Sequence, residues 1–278
     1  KFTNTYRASD RVSQYLIRNV IYSGEFNSID TVFRILLFKL FNKIETWELL
    51  EKAFGVITVD SFNSKRFSNI LDEAMASEVR IYSNAYMMAS GAKEFPVGRK
   101  HHAHFLLLEK MLKEELPKKI EACRSMEEAY LLLLSYPMIG QFLAYQYVTD
   151  INYSEVVDFS ECEFTVPGPG AKDGIRKCFT DKAGLSDSDI IRLLADNQEQ
   201  EFERLGLDFK YLGNRKLQLI DIQNIFCETD KYCRVVHPDL QGFSGRTKIK
   251  QKFKINKKPI DVFFPPKWNV RMSSNGFR

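Results

Sequence analysis

Two glycine-bearing turns and several clusters of charged or aromatic side chains hold most of the chemistry available to this sequence. The first turn lies in Leu134-Ser-Tyr-Pro-Met-Ile-Gly-Gln-Phe-Leu-Ala-Tyr-Gln146, where one apolar helix ends, the chain turns at Pro137 to Gly140, and a second helix starts. Such a turn aims successive backbone N–H groups, together with the following helix N-terminus, at one phosphate. Taken alone it is better read as an ordinary two-helix turn than as a backbone grip with Gly140. The second turn is Val166-Pro-Gly-Pro-Gly-Ala-Lys-Asp-Gly-Ile175, with Gly168, Gly170 and Lys172. It is no Walker A loop, because no Gly-Lys-Ser/Thr follows four residues after a glycine, here or anywhere else in the chain.

Charge is distributed unevenly. From Arg246 to Arg278 ten Lys or Arg face one acid, Asp261, so the tail carries +9 and the remaining residues −5 of the net +4. Within it Lys248, Lys250 and Lys252 occupy alternate positions opposite Ile249, Phe253 and Ile255. A period of two predicts an extended segment whose lysine face tracks phosphates, in preference to an edge strand guarded by lysines. His101, His102 and His104 invite a metal reading, yet adjacent helical histidines diverge and no neighbouring Cys or Asp completes a set. No metal and no cofactor is expected; phosphate contact with Arg99, Lys100 and the histidines is favoured. Asn4, Tyr6, Arg7, Asp10 and Arg11 form one polar cluster, and Asp221, Gln223, Glu228, Asp230, Lys231, Tyr232 and Arg234 another. By helical spacing alone these are solvated ion pairs.

The elements that must position these residues read as helices. The 278 residues, 44% hydrophobic and 13% aromatic, suffice for a substantial core. Helical periodicity runs to about residue 236, with helices expected from Ser9 or Asp10 through Val20, across 29–54 as one or two helices, and over 64–89, 103–121, 125–136, 141–149, 170–183, 187–205 and 215–233. Ser186 before Asp187 and Asp189 marks a helix start. The uncharged stretch Ala129–Val148 is interrupted by Pro137, Gly140, Gln141 and Gln146, which predicts two buried helices and no membrane partner. Five scattered cysteines predict reduced thiols in a cytoplasmic protein.

Asp158, in Val156-Val-Asp-Phe159, follows Gly140 by eighteen residues. Here the chain resembles the helix-hairpin-helix DNA glycosylases, whose hairpin is followed at about this distance by a catalytic aspartate. The resemblance implies that Asp158 is the catalytic carboxylate, stabilising positive charge on the sugar as a base departs. Met138 replaces the first hairpin glycine, Phe142 stands where lyase-competent members carry lysine, and no four-cysteine iron–sulfur arrangement is present. The implied reaction is therefore monofunctional. Counting from Lys172 reaches Asp187 and Asp189 instead, an alternative register.

Three blocks carry a wider resemblance: Phe2–Tyr15, the central hairpin with Gly168–Gly174, and Asp221–Arg234. Together they are similar to the helical domain associated with 5-hydroxymethyluracil DNA kinases, also described as the α-glutamyl/putrescinyl-thymine pyrophosphorylase family. The expected fold is all-α, a helix-hairpin-helix glycosylase-like helical domain over residues 1–236 with a short basic extended segment over 237–278. The resemblance implies a base pocket of Asn4, Arg7, Gln141, Phe142, Gln223 and Glu228, and DNA contacts from Gly140, Gly168, Gly170, Lys172, Lys231, Arg234, Lys248, Lys250 and Lys252. It implies double-stranded DNA with modified bases as partner, and a flipped nucleotide. The expected activity is excision of a hypermodified pyrimidine from phage DNA as antiphage defence. The alternatives are a transferase attaching an amine or amino acid to activated 5-hydroxymethyluracil, working with a separate DNA-base kinase, and a non-catalytic binder of modified DNA.

Overall fold

The computed structural model describes residues 5–249 and 256–270. Asn4, Lys250 and Lys252, and with them most of the expected extended segment, lie outside the described residues. Among those residues the fold is all-α, with a single isolated bridge between Leu212 and Arg215. The α-helices are α1 (Arg11–Tyr15), α2 (Ser28–Phe41), α3 (Ile44–Phe54), α4 (Ser64–Ala76), α5 (Lys100–Lys113), α6 (Leu116–Glu121), α7 (Met126–Leu134), α8 (Gln141–Ile151), α9 (Pro169–Cys178), α10 (Asp187–Asp196), α11 (Gln198–Arg204) and α12 (Leu219–Val236). They group into two compact units, one of Tyr15–Phe159 and one of Lys1–Gln14 with Ser160–Arg278. No described helix is long and apolar enough to cross a membrane.

In the unit Tyr15–Phe159, α2 is buried all round from Thr31 to Phe41 and forms the centre of the core. A helix so enclosed must satisfy its polar side chains internally. Arg34 does so by donating to the carbonyls of Val20 and Ile57 at 2.9 and 2.7 Å and to Ser23 Oγ at 2.9 Å, its plane held over Phe26 and Trp47. The Val20 carbonyl belongs to a π-helical turn, Leu16–Ile21, that follows α1. Lys39 pairs with Asp150 of α8 at 2.7 Å, both side chains at most 3% exposed. Helix α4 ends thirteen residues earlier than the 64–89 pattern predicts, because its apolar stripe of Phe67 and Leu71 reaches solvent at Met75 and Val79, and Glu78 turns left-handed. The 103–121 segment divides at left-handed Glu115, with Pro117 admitted at the start of α6.

In the other unit α9 packs along α12. Gly174 makes this possible: a Cβ there would overlap the Phe226 carbonyl, and one at Gly170 would stand 3.0 Å from Cys227 Sγ. The expected start at Ser186 is a full capping box with Asp189, which accounts for that carboxylate structurally. The 187–205 pattern divides at Asn197 into α10 and α11. Beyond α12 the chain is anchored by Asp173 of α9, which accepts from the Ser244 backbone at 2.8 Å, from the Ser244 hydroxyl, and from Arg246 Nη2 at 2.9 Å. Burial opposes ionisation of Asp173, but these donors together hold its carboxyl below the usual range. All five cysteines are free thiols.

Candidate functional site

A group of buried polar side chains forms at the N-terminal end of α12, from segments far apart in sequence. Asp221 accepts from the Gln218 backbone at 3.0 Å in a capping box, and its other oxygen accepts from the Arg7 backbone at 2.8 Å. Removal from water pushes its carboxyl up to about 6 despite these donors. Tyr6, in the same N-terminal strap, accepts from Leu212 N–H at 3.0 Å and donates to the Arg215 carbonyl. Arg215 Nη2 stands 2.7 Å from Glu161 Oε1, with side chains 14% and 8% exposed, and its guanidinium lies 3.6 Å above Trp268. The Arg215–Glu161 contact is close without hydrogen-bond alignment. Glu161 Oε2, Arg215 Nε and the Tyr211 hydroxyl are all buried without a hydrogen-bond partner. Charged and phenolic atoms held out of water without partners are the exception in a folded chain and mark this end of the unit as the candidate site.

Of the residues singled out in the sequence, Arg7 and Gln223 belong to this unit and are buried, but they hold structure together. Gln223 Oε1 accepts from Gly168 N–H at 2.7 Å, so that amide points at a side chain. Glu228 is ion-paired with Lys231. Arg234 bonds Asp230 and the Lys248 carbonyl, both at 2.7 Å, and Asp230 also takes Lys177 at 2.8 Å with both side chains 1% exposed. Lys172 and Lys248 are exposed. The glycines at 170 and 174 thus have a packing explanation, and Gly168 a capping one. Glu161, Tyr211, Arg215 and Trp268 carried no local pattern in the sequence, since their grouping arises only on folding.

Gln141, Phe142, Gly140 and Asp158 lie in the Tyr15–Phe159 unit, so the structure does not gather the expected pocket into one unit. Gly140 caps α8 in an exposed position with nothing near its missing Cβ. Met138 adopts φ +66° and its sulfur would stand 2.7 Å from a Cβ on Gly91. The methionine that departs from the glycine pattern is therefore an internal plug for this turn. Phe142 stacks on Tyr86 at 5.7 Å, and the Tyr86 ring receives the Lys39 ammonium at 4.3 Å. Asp158 is exposed in the loop after α8.

The histidines also find an unexpected neighbour. Asp72 of α4 stands 2.9 Å from Nε2 of both His101 and His102 and 2.6 Å from Arg99. It supplies the acid the local sequence lacks. His104 is separate, its Nδ1 on the Tyr82 hydroxyl and its Nε2 on the Ala89 carbonyl, both at 2.9 Å.

The geometry defines an all-helical protein with a buried ionic cluster and, in its sequence, no nucleotide-phosphate loop. Residues 1–242 match the family model of the 5-hmdU DNA kinase, helical domain, and the chain belongs to that family. It is 26% identical over 284 residues to a protein of Bacillus phage SP10 described as a 5-hmdU DNA kinase. The match covers 95% of this chain and 44% of the relative, so the chain spans less than half of that protein's length. No solved structure matches the chain.

These matches overturn the glycosylase reading, and with it base excision and hydrolase chemistry. The family and the phage relative are described by phosphoryl transfer to a modified nucleoside, which leaves the glycosidic bond intact. The exposure of Asp158 agrees, since a carboxylate at the surface offers less stabilisation to an oxocarbenium centre than one in a dry site. The family's description names neither attachment of an amine or amino acid nor binding alone, although the first is, like phosphorylation, a group transfer. No comparison bears out the likeness to helix-hairpin-helix glycosylases, of which the structure shows the two-helix turn between α7 and α8.

Proposed function

We propose that this chain is the DNA-engaging helical part of a 5-hydroxymethyldeoxyuridine DNA kinase, presenting the modified base while the phosphate donor is bound outside the residues described here. The observation that carries this is the family match over residues 1–242. The absence of a Walker A pattern from the sequence supports the division of labour. Phosphorylating a hydroxymethyl group requires its base to leave the stack, and the flipped base must be read on its edge. The Glu161–Arg215 cluster suits a uracil edge, with the carboxylate accepting from N3–H and the guanidinium donating to a ring carbonyl. The basic residues after Arg246 would contact phosphates on either side.

Binding of the full chain to duplexes carrying one 5-hydroxymethyluracil or one 5-hydroxymethylcytosine, whose N3 has no hydrogen, followed by fluorescence anisotropy, tests the reading. We expect preference for the hydroxymethyluracil duplex, lost in Glu161→Gln and Arg215→Lys, with affinity falling steeply as salt rises. Equal affinity for both duplexes would overturn the base-reading role. No DNA binding at low salt would overturn the whole reading.

A further inference from the structure

We propose that Asp72, His101 and His102 form a binding site for a divalent transition metal of the zinc class, joining α4 to α5 in the Tyr15–Phe159 unit. One donor atom from each of the three residues lies within 4.8 Å of the other two, and each histidine Nε2 is 2.9 Å from an Asp72 oxygen. Donors held about 2 Å from one zinc ion stand some 3 to 3.5 Å from each other, so each histidine nitrogen is near its ligating separation from the carboxylate. Phe67 of α4 meets Phe105 of α5 edge to face at 5.9 Å, and this packing brings Asp72 over the first turn of α5. The two histidine rings converge, their centroids 4.6 Å apart.

A second observation points independently to a ligand. His101 is 1% exposed, and its Nε2 has no hydrogen-bond partner although a carboxylate oxygen is 2.9 Å away. Nε2 and the Asp72 oxygen thus stand at contact distance without the alignment of a hydrogen bond, an arrangement that a cation between them would satisfy. Two imidazoles with one carboxylate select zinc-class ions over magnesium or calcium, which prefer oxygen throughout. His102 and Asp72 are about a third exposed, so the ion has an entry path and an open coordination position for water. Arg99 lies on the same Asp72 oxygen as His101 and competes with the ion for it.

The test is titration of chelator-treated full chain with Zn²⁺ by calorimetry, and with Co²⁺ by visible absorption, which reports ligand geometry. One equivalent should bind. Loss of a ligand should cost at least the roughly 10- to 100-fold that loss of an outer-shell partner costs, in both Asp72→Asn and the partly exposed His102→Ala. Arg99→Ala should bind as tightly or more tightly. The ion should also raise the thermal midpoint of the natural chain and leave that of His102→Ala unmoved. Absence of stoichiometric binding by a folded natural chain would overturn the proposal, as would binding unaffected by Asp72→Asn and His102→Ala. A loss in Arg99→Ala as large as in Asp72→Asn would mark the cluster as an ion-pair network and overturn it too.

Discussion

Asp221 Oδ1 accepts the backbone N–H of Arg7 at 2.8 Å, joining two residues 214 positions apart. That bond sets the N-terminal strap against the start of α12, beside the Glu161–Arg215 pair, and it is made by a carboxylate pushed up to about 6 by burial. The folded form thus holds its proton more tightly than the unfolded chain, where the group titrates near 3.8. The stability it contributes is fully present below pH 4 and is lost as pH rises through 6, by something on the order of 2 to 3 kcal/mol. Chemical denaturation between pH 4 and 7 should show this downward slope, flattened in Asp221→Asn. An unchanged slope in the variant would remove Asp221 as its source.

His104 predicts the opposite trend in the other unit. Burial lowers it to about 4, and its neutral ring is fixed by accepting from Tyr82 and donating to Ala89. The unfolded chain binds the proton more readily, so this contribution is complete above pH 6.5 and is lost as pH falls through 4, by about 3 kcal/mol. Protection factors of α5 amides, taken relative to the intrinsic exchange rate at each pH, should fall on acidification over this window. His104→Asn should exchange faster at neutral pH and respond less to acid.

Two glycines in superficially similar turns should behave differently. Gly174→Ala forces a methyl into the Phe226 carbonyl and should cost about 3 kcal/mol by parting α9 from α12. Gly140→Ala meets open space with an ordinary φ of −87° and should leave stability within about 0.5 kcal/mol. Urea midpoints of the two variants measure the contrast.

Lys39 and Asp150 form a buried pair whose halves should be far more costly to remove singly than together. Lys39→Met leaves the carboxylate deprived of its cation and should cost about 3 to 5 kcal/mol, while Lys39→Met with Asp150→Leu should recover most of that loss. A double-mutant cycle on unfolding free energies reads the coupling, and additive losses would contradict it.

The helices were legible because their signals are local. Ser186 with Asp189 gives a capping box within four residues, and the α7–α8 turn is written between Pro137 and Gly140. The site was not, because its members have no local relation: Glu161, Arg215 and Asp221 come from a loop, an irregular segment and a helix, and Asp72 precedes the histidines by a full loop. Glycine was the most misleading signal. Spacing at 168, 170 and 174 suits a phosphate cradle and suits equally a close helix crossing, and only the position of Phe226 and Cys227 separates the two.

The strap that Asp221 holds also orders events during synthesis. Residues 5–14 leave the ribosome well ahead of their partners at 212, 215 and 221, which lie more than two hundred positions from Tyr6 and Arg7. At typical elongation rates that interval is about 10 to 40 s, long enough for Tyr15–Phe159 to fold while its own N-terminal flank is still waiting. The newborn chain therefore spends that time with the apolar face of Tyr6 and Ala8 uncovered, a transient client for whatever holds unfolded segments in the cell.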